Sequence, residues 1–256
     1  MKKKLLIYIL VLIFLYFVGC INEMEMLEDN STLKAGNERL FMPDSLRDLI
    51  EYDRNSMDQY SIRKLENILE LLYTFPETNK MLNSLKDGLK VKMEITGGSS
   101  SLGEAWYDPI YPPKIGFLRE DCITMENVLH ELLHHYAMYN YVPYRDGVIP
   151  ACEEYEVRVL TDVIMQKYCA NCDFKYQGMS PDEGLFYQPY IDWINNLINT
   201  SSFDKFLFGI EFKKYGTICI MNLQYNDKTT HDILQINDLN YYIPLLLETF
   251  LFNFKR

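Results

Sequence analysis

The chain has 256 residues, of which 48% are hydrophobic and 24% charged, so it can bury a sizeable core in one large domain or two small lobes. Its formal net charge is -11. A chain this acidic, with no obvious basic patch, lacks what binding to phosphate backbones requires, which argues against nucleic acid as a partner.

The N-terminus reads as a targeting segment. Lys2, Lys3 and Lys4 form a basic start, and the apolar run L-L-I-Y-I-L-V-L-I-F-L-Y-F-V leads into Gly19 and Cys20. One interpretation is an uncleaved transmembrane anchor. The other is a bacterial lipoprotein signal.

The segment F-V-G-C resembles a lipobox, although Phe17 stands where leucine is usual. The resemblance implies a signal peptide over 1–19, lipidation of Cys20 and an acidic tether over 20–40. Both interpretations export the domain to the bacterial cell envelope, anchored and facing away from the cytoplasm. The outer membrane and the cell surface both remain open.

For residues 41–256 the sequence predicts one α+β domain, with its core at about 88–200 and mostly helical N- and C-terminal parts. Apolar spacing predicts one or two helices within 43–72. Strands are predicted at 91–95, 105–107 and 115–118. Further helices are predicted at 123–139, 150–168, 181–198, 203–212 and 241–252, whereas 215–224 is ambiguous between helix and strand.

Five cysteines follow Cys20, and disulfides are the default for exported cysteines. Five is an odd number, so at least one should be unpaired or pair between molecules. Cys152 and Cys169 should lie at opposite ends of one helix, about 25 Å apart, too far to pair. No second C-x-x-C accompanies C-A-N-C, which weakens a redox or zinc role for that pair. The five are Cys122, Cys152, Cys169, Cys172 and Cys219.

Three of the four histidines lie in T-M-E-N-V-L-H-E-L-L-H-H-Y, residues 124–136. In a helix, His130 and His134 are one turn apart and can converge on one zinc ion. Glu131 lies on the flank of the same face, where it can serve as a general base. His135 is rotated about 140° from His130, so we expect it in solvent or in a local hydrogen bond.

A catalytic zinc site needs a third ligand. His231 is almost a hundred residues away, so a carboxylate from the next helix, A-C-E-E-Y-E-V-R-V-L-T-D-V-I-M, is the economical choice. Glu154 lies at the edge of a mostly apolar face and is the preferred ligand, with Glu153 second. Glu156 should lie on the far side of the helix.

These two segments resemble the gluzincin branch of zinc metallopeptidases, and E-Y-E-V-R is similar to the E-x-E-A-N motif of the ImmA/IrrE type. The resemblance covers about 106–165 and implies a zincin-like fold, with the active-site helix packed on a small twisted sheet. It also implies that an edge strand pairs with extended substrate, for which Lys114–Leu118 is the candidate. Arg158 departs from the Asn or Asp of those families, and Asp162 or Glu126 could substitute in supporting the ligands.

The expected function is therefore that of a membrane-anchored zinc metallopeptidase acting on peptide or protein substrates. His130, His134 and Glu154 would bind Zn²⁺, and Glu131 would transfer the proton. His231 or a tyrosine could stabilise the oxyanion. Two alternatives stay open: an envelope lipoprotein that keeps zinc for structure, or has lost activity, and works as a binding module, and a zinc hydrolase acting on other bonds.

Overall fold

The computed structural model describes residues 44–85, 88, 90–97, 104–140, 151–169, 174–199, 204–226 and 244–252. The predicted signal peptide, Cys20, the tether, Cys172 and His231 lie outside these residues. The contacts between residues group the chain into two units, Met1–Leu40 and Phe41–Arg256. Every element described below belongs to the second unit.

The N-terminal part contains helices α1 (Asp44–Arg47), α2 (Gln59–Thr74) and α3 (Pro76–Leu85), with strand β1 (Ile50–Tyr52) after α1. The Asp58 carboxylate caps α2 by accepting a hydrogen bond from the Ser61 amide at 2.8 Å. The sequence predicted helix over 43–72 but neither β1 nor α3. Three residues are too few to show the alternation typical of a strand.

The four described strands form one mixed sheet. It contains β1, β2 (Val91–Ile95), β3 (Ala105–Asp108) and β4 (Lys114–Phe117) in the order β1-β2-β4-β3. The β1–β2 and β2–β4 pairs are parallel, whereas β3 and β4 are antiparallel. Together with the helices on either side of it in the sequence, this sheet confirms the predicted α+β class.

The expectation that Lys114–Leu118 forms the edge strand is wrong. Ile115 is paired with Met93 of β2 on one side and with Tyr107 of β3 on the other, so β4 is internal. The hairpin places β3 outside it, and Trp106 of β3 lies across Gly116, where a Cβ atom would collide with the indole ring. Among the described residues, the edges of the sheet are β1 and β3.

Two long helices follow the sheet. Helix α4 spans Met125–Asn140 after a short 3₁₀ turn at Glu120–Cys122, and the Thr124 hydroxyl caps it by accepting from the Asn127 amide at 3.2 Å. Helix α5 spans Ala151–Tyr168. Both were predicted to within two residues. The apolar residues of α4 are in the core, which contains Val128, Leu129, Leu132, Leu133 and Tyr136.

The C-terminal part is helical. A 3₁₀ turn at Pro181–Phe186 leads into α6 (Tyr187–Asn199), followed by α7 (Lys205–Asn226) and by α8 (Leu245–Leu247), which continues as a π-helical turn at Glu248–Phe252. The ambiguous segment 215–224 is part of α7. No helix in the described ranges is both long and apolar enough to cross a bilayer.

The cysteines only partly follow the disulfide expectation. Cys169 is disulfide-bonded, with its partner outside the described residues. Cys122, Cys152 and Cys219 are buried thiols. Cys122 lies in the turn before α4, Cys152 in α5 and Cys219 in α7, and each belongs to the hydrophobic core. They therefore behave as small core residues rather than as crosslinks.

Candidate metal centre

Helices α4 and α5 bring three predicted ligands together. The Nε2 atoms of His130 and His134 are 3.1 Å apart. One carboxylate oxygen of Glu154, Oε2, is 2.9 Å from the Nε2 of His134 and 3.5 Å from that of His130. These three residues form a group that could hold a metal ion.

The distances fit a shared ion. Imidazole and carboxylate donors bind zinc at about 2.0–2.1 Å, so donors around one tetrahedral ion lie about 3.3 Å apart. The observed separations of 2.9, 3.1 and 3.5 Å bracket that value. The side chains therefore already have the spacing that ligation requires, with no rearrangement of either helix.

The surroundings of His134 favour a positive charge. Its Nδ1 atom is 3.4 Å from Oε1 of Glu153, and the side chain is 1% exposed. Burial acts to lower the pKa of His134, but Glu153 and Glu154 outweigh it and raise that pKa to about 10. In the absence of metal, Glu153 and Glu154 therefore stabilise a proton on the His134 ring, at the place where a metal cation could bind.

Glu153, the second-choice ligand, takes a different position. Its carboxylate contacts the ring nitrogen of His134 that points away from His130 and Glu154. A carboxylate behind a ligating imidazole fixes the orientation of the ring and increases its basicity. The neighbouring acids of α5 therefore take different positions, with Glu154 in the group that could hold an ion and Glu153 behind His134.

Glu131 lies next to the ligands and is 5% exposed. Burial raises the pKa of its carboxyl group, and this effect outweighs the attraction of the two neighbouring histidines. A carboxylate with a raised pKa accepts a proton more readily, as a general base must.

The Arg158 guanidinium contacts the other oxygen of Glu154, with Nε donating to Oε1 at 2.7 Å. Burial alone would raise the pKa of Glu154, but Arg158 and the histidines hold it well below its usual range. Asp162, suggested as a substitute for the missing Asn or Asp, accepts hydrogen bonds from the Gln177 and Gly178 amides and from the Tyr190 hydroxyl.

His135 is directed away from the ligand group. It is 2% exposed, and its Nδ1 atom is 3.1 Å from the Tyr107 hydroxyl of β3. Of the two expectations for this residue, the structure has the local hydrogen bond and not solvent exposure. The Tyr107 ring also stacks against His134 with centroids 6.5 Å apart, so β3 runs alongside the ligand helix.

Sequence reasoning missed the contacts of Glu153, Arg158 and Tyr107. The i,i+4 spacing of Glu154 and Arg158 was a usable signal, because an acid and a base one turn apart meet on a helix surface. Nothing local distinguishes Glu153 from an ordinary acid in the first turn of a helix. Tyr107 reaches the site through sheet packing, which the sequence does not encode locally.

The chain matches no known protein family model, no curated protein and no solved structure.

Proposed function

We propose that the protein is a zinc-dependent metallopeptidase of zincin-like fold, exported and held at the bacterial envelope by a lipid on Cys20. The observation that carries the proposal is the convergence of two imidazole nitrogens and one carboxylate oxygen within 3.5 Å. The resemblance of H-E-L-L-H and E-Y-E-V-R to gluzincin motifs supports the same function.

The donor set favours zinc. Two imidazoles and one carboxylate with an open fourth position are typical of catalytic zinc sites. The same three donors also occur in iron(II) oxygenases. What favours a hydrolase is Glu131, which follows His130 directly and supplies a general base that an iron centre of that class does not need.

The chemistry then divides among the chain's own residues. His130, His134 and Glu154 hold the ion, which when bound polarises the scissile carbonyl and lowers the pKa of a water molecule. Glu131 accepts the proton of that water and later donates it to the leaving amine. Glu153 keeps the His134 ring in its ligating orientation.

Extended substrate would bind along β3 instead of the expected β4. Strand β3 pairs with β4 on one side, and no strand among the described residues pairs with its other side. The backbone groups of such an edge can add a peptide as a further strand. Tyr107 places β3 beside His134, so a peptide on this edge would pass next to the ligands.

A non-catalytic metal site is the second candidate, and the burial of the centre favours it. His130, Glu131 and His134 are 8%, 5% and 1% exposed. This burial of three of its residues suits an ion that stabilises the fold of a binding module, whereas Glu154 is partly exposed. The role of Glu131 separates the two functions, because a structural ion requires no general base.

The decisive experiment compares the full-length chain with Glu131→Gln. We expect unchanged zinc per chain and a fall in the cleavage of a broad peptide library by roughly 10²- to 10⁴-fold, since a general base contributes about that much. Glu211→Gln on α7 is the matched control and should retain full activity. Cys20→Ser should abolish the incorporation of labelled fatty acid that the wild type should show.

Equal turnover by the wild type and Glu131→Gln would eliminate the peptidase mechanism. A wild type that binds zinc and cleaves nothing would favour the structural ion. Metal analysis of the purified chain should quantify iron alongside zinc.

A further inference from the structure

The two oxygens of Glu154 have separate partners. Oε2 faces the Nε2 atoms of both histidines, whereas Oε1 accepts a charge-assisted hydrogen bond from Nε of Arg158 at 2.7 Å. Between Cys152 and Met165 every residue of α5 is buried except Glu154 and Arg158. The pair thus occupies the one partly exposed place on this stretch of the helix.

Arg158 is itself held at a second point. Its Nη1 atom donates to the Gln177 carbonyl oxygen at 3.0 Å. The Gln177 and Gly178 amides in turn donate to the Asp162 carboxylate, one helical turn beyond Arg158, at 2.7 and 2.9 Å. Asp162 therefore holds this loop against α5 by hydrogen bonds. The loop in turn fixes the Gln177 carbonyl oxygen that accepts the hydrogen bond from Arg158.

The loop can approach α5 this closely because residue 178 is glycine. A Cβ atom there would collide with the Tyr190 hydroxyl and press on the Asp162 carboxylate. Tyr190, from α6, adds a third hydrogen bond to Asp162 at 2.6 Å. The support of Arg158 is thus built from α5, α6 and the loop before α6, all in fixed contact.

We infer that Arg158 is a positioning residue of the metal centre, which occupies one oxygen of Glu154 so that the carboxylate binds the ion through the other oxygen alone. The inference rests on the proposed function, because it needs a metal at His130, His134 and Glu154. A carboxylate with both oxygens available can take two coordination positions. A catalytic zinc site needs one position left for substrate or water.

The guanidinium suits this task better than an ammonium group would. Its planar donors are fixed relative to one another, so binding Glu154 and the Gln177 carbonyl together sets the rotation of the carboxylate. The families that this chain resembles carry Asn or Asp at this position. In this chain the acid that supports a ligand is Glu153, which contacts His134. Arg158, one turn after Glu154, contacts Glu154 itself.

The test is the affinity of the metal-free full chain for zinc, measured by competition with a chromophoric chelator, in the wild type, Arg158→Met and Arg158→Lys. We expect Arg158→Met to bind zinc roughly 10- to 100-fold more weakly, the usual effect of removing a group that orients a ligand. Arg158→Lys keeps the charge and one donor, should fold even if the methionine variant does not, and should lose several-fold.

Lys167→Met is the matched control. Lys167 lies on the same helix and also bonds to a buried acid, Glu77, at 2.5 Å, so its loss should lower stability and leave zinc affinity unchanged. The Co²⁺-substituted proteins give a second readout. Arg158→Met should absorb more weakly in the visible range than the wild type, because ligation by both Glu154 oxygens raises the coordination number, and Arg158→Lys, which keeps one donor, should lie between the two.

Zinc affinities and cobalt spectra equal to those of the wild type in both Arg158 variants would overturn the inference, as would tighter binding by Arg158→Met. A wild-type chain that takes up no metal would instead defeat the proposed function. The two failures are therefore distinguishable in one set of titrations.

Discussion

The charges at the candidate centre do not balance among the side chains themselves. Glu153 and Glu154, together with Glu131 when it is ionised, contribute three negative charges within the α4–α5 contact, and Arg158 contributes one positive charge. The formal charge is then -2 with both histidines neutral, the state that binds a metal, and -1 when His134 keeps the proton that its raised pKa favours. Buried charge is costly unless it is compensated. A divalent cation would neutralise this group.

Glu153 gives a prediction at this scale. Glu153→Gln removes the negative charge behind His134 and should weaken zinc binding by roughly tenfold, because the amide orients the imidazole less strongly than a carboxylate does. Chelator competition measures the effect. Glu156→Gln is the matched control. Glu156 is another buried acid of α5, whose Oε1 accepts from the Leu247 amide at 2.9 Å, and an amide oxygen can still accept there.

Equal losses of affinity in Glu153→Gln and Glu156→Gln would show that any change of charge on α5 disturbs the site. The specific role of Glu153 would then be wrong.

The two predicted histidine ligands could be read from the sequence because their geometry is local. His130 and His134 are one turn apart in one helix, so their convergence required only that the helix form. The contact between Arg158 and Glu154 is equally local, whereas the position of Glu153 behind His134 could not be read in this way. It depends on the rotation of α5 against α4, since a rotation of about 100° exchanges adjacent residues of a helix.

At the scale of elements, the stability of the α4–α5 pair depends on contacts with the rest of the fold. The C-terminal segment contacts both: Phe250 packs edge-to-face on Tyr136 of α4 with centroids 5.3 Å apart, and the Leu247 amide donates to Glu156 of α5. At the other end of α5, Glu77 of α3 accepts from Lys167 and from the Tyr168 hydroxyl. Contacts at both ends thus brace α5 against its neighbours.

The Glu77 contact predicts a pH-dependent stability. Burial alone would raise the pKa of Glu77, but the donors Lys167 and Tyr168 outweigh it and lower the pKa. A lowered folded-state pKa adds stability above the unfolded value of about 4.3, and this stability is lost as the pH falls through the folded value. Glu77→Gln should therefore cost about 1 kcal/mol at pH 7, a modest value because the Lys167 side chain is 39% exposed and solvent screens it.

Urea unfolding of the metal-free wild type and Glu77→Gln at pH 7 and at about pH 3 measures this contribution. The difference in the free energy of unfolding should be present at pH 7 and shrink in acid. A difference that stayed constant with pH would mean that the Glu77 charge contributes nothing.

The elements also show what the sequence could and could not predict. Helices α4 and α5 carry long apolar patterns and were predicted to within two residues. Strand β1 is only three residues long, and Leu49 and Ile50 fit a helical pattern as well as a strand. The error over β4 has a different origin: pairing order is a property of the whole sheet, and a parallel β2–β4 pair placed β3 at the edge.

For the whole molecule, the α+β class followed from the order of elements, whereas the arrangement around the site required the structure. The first forty residues contribute the proposed lipid anchor, and Phe41–Arg256 carries the candidate centre. The function proposed for that unit depends on one physical claim: α4 and α5 together bind one divalent ion through His130, His134 and Glu154.

Metal content per chain tests this claim most directly. We expect the purified wild type to carry one zinc ion per chain, and His134→Ala and Glu154→Ala to carry substantially less after the same dialysis, because two remaining ligands cannot retain the ion. Circular dichroism should verify that both variants are folded. Metal content that is unchanged in folded Glu154→Ala would remove that carboxylate from the centre and contradict the account.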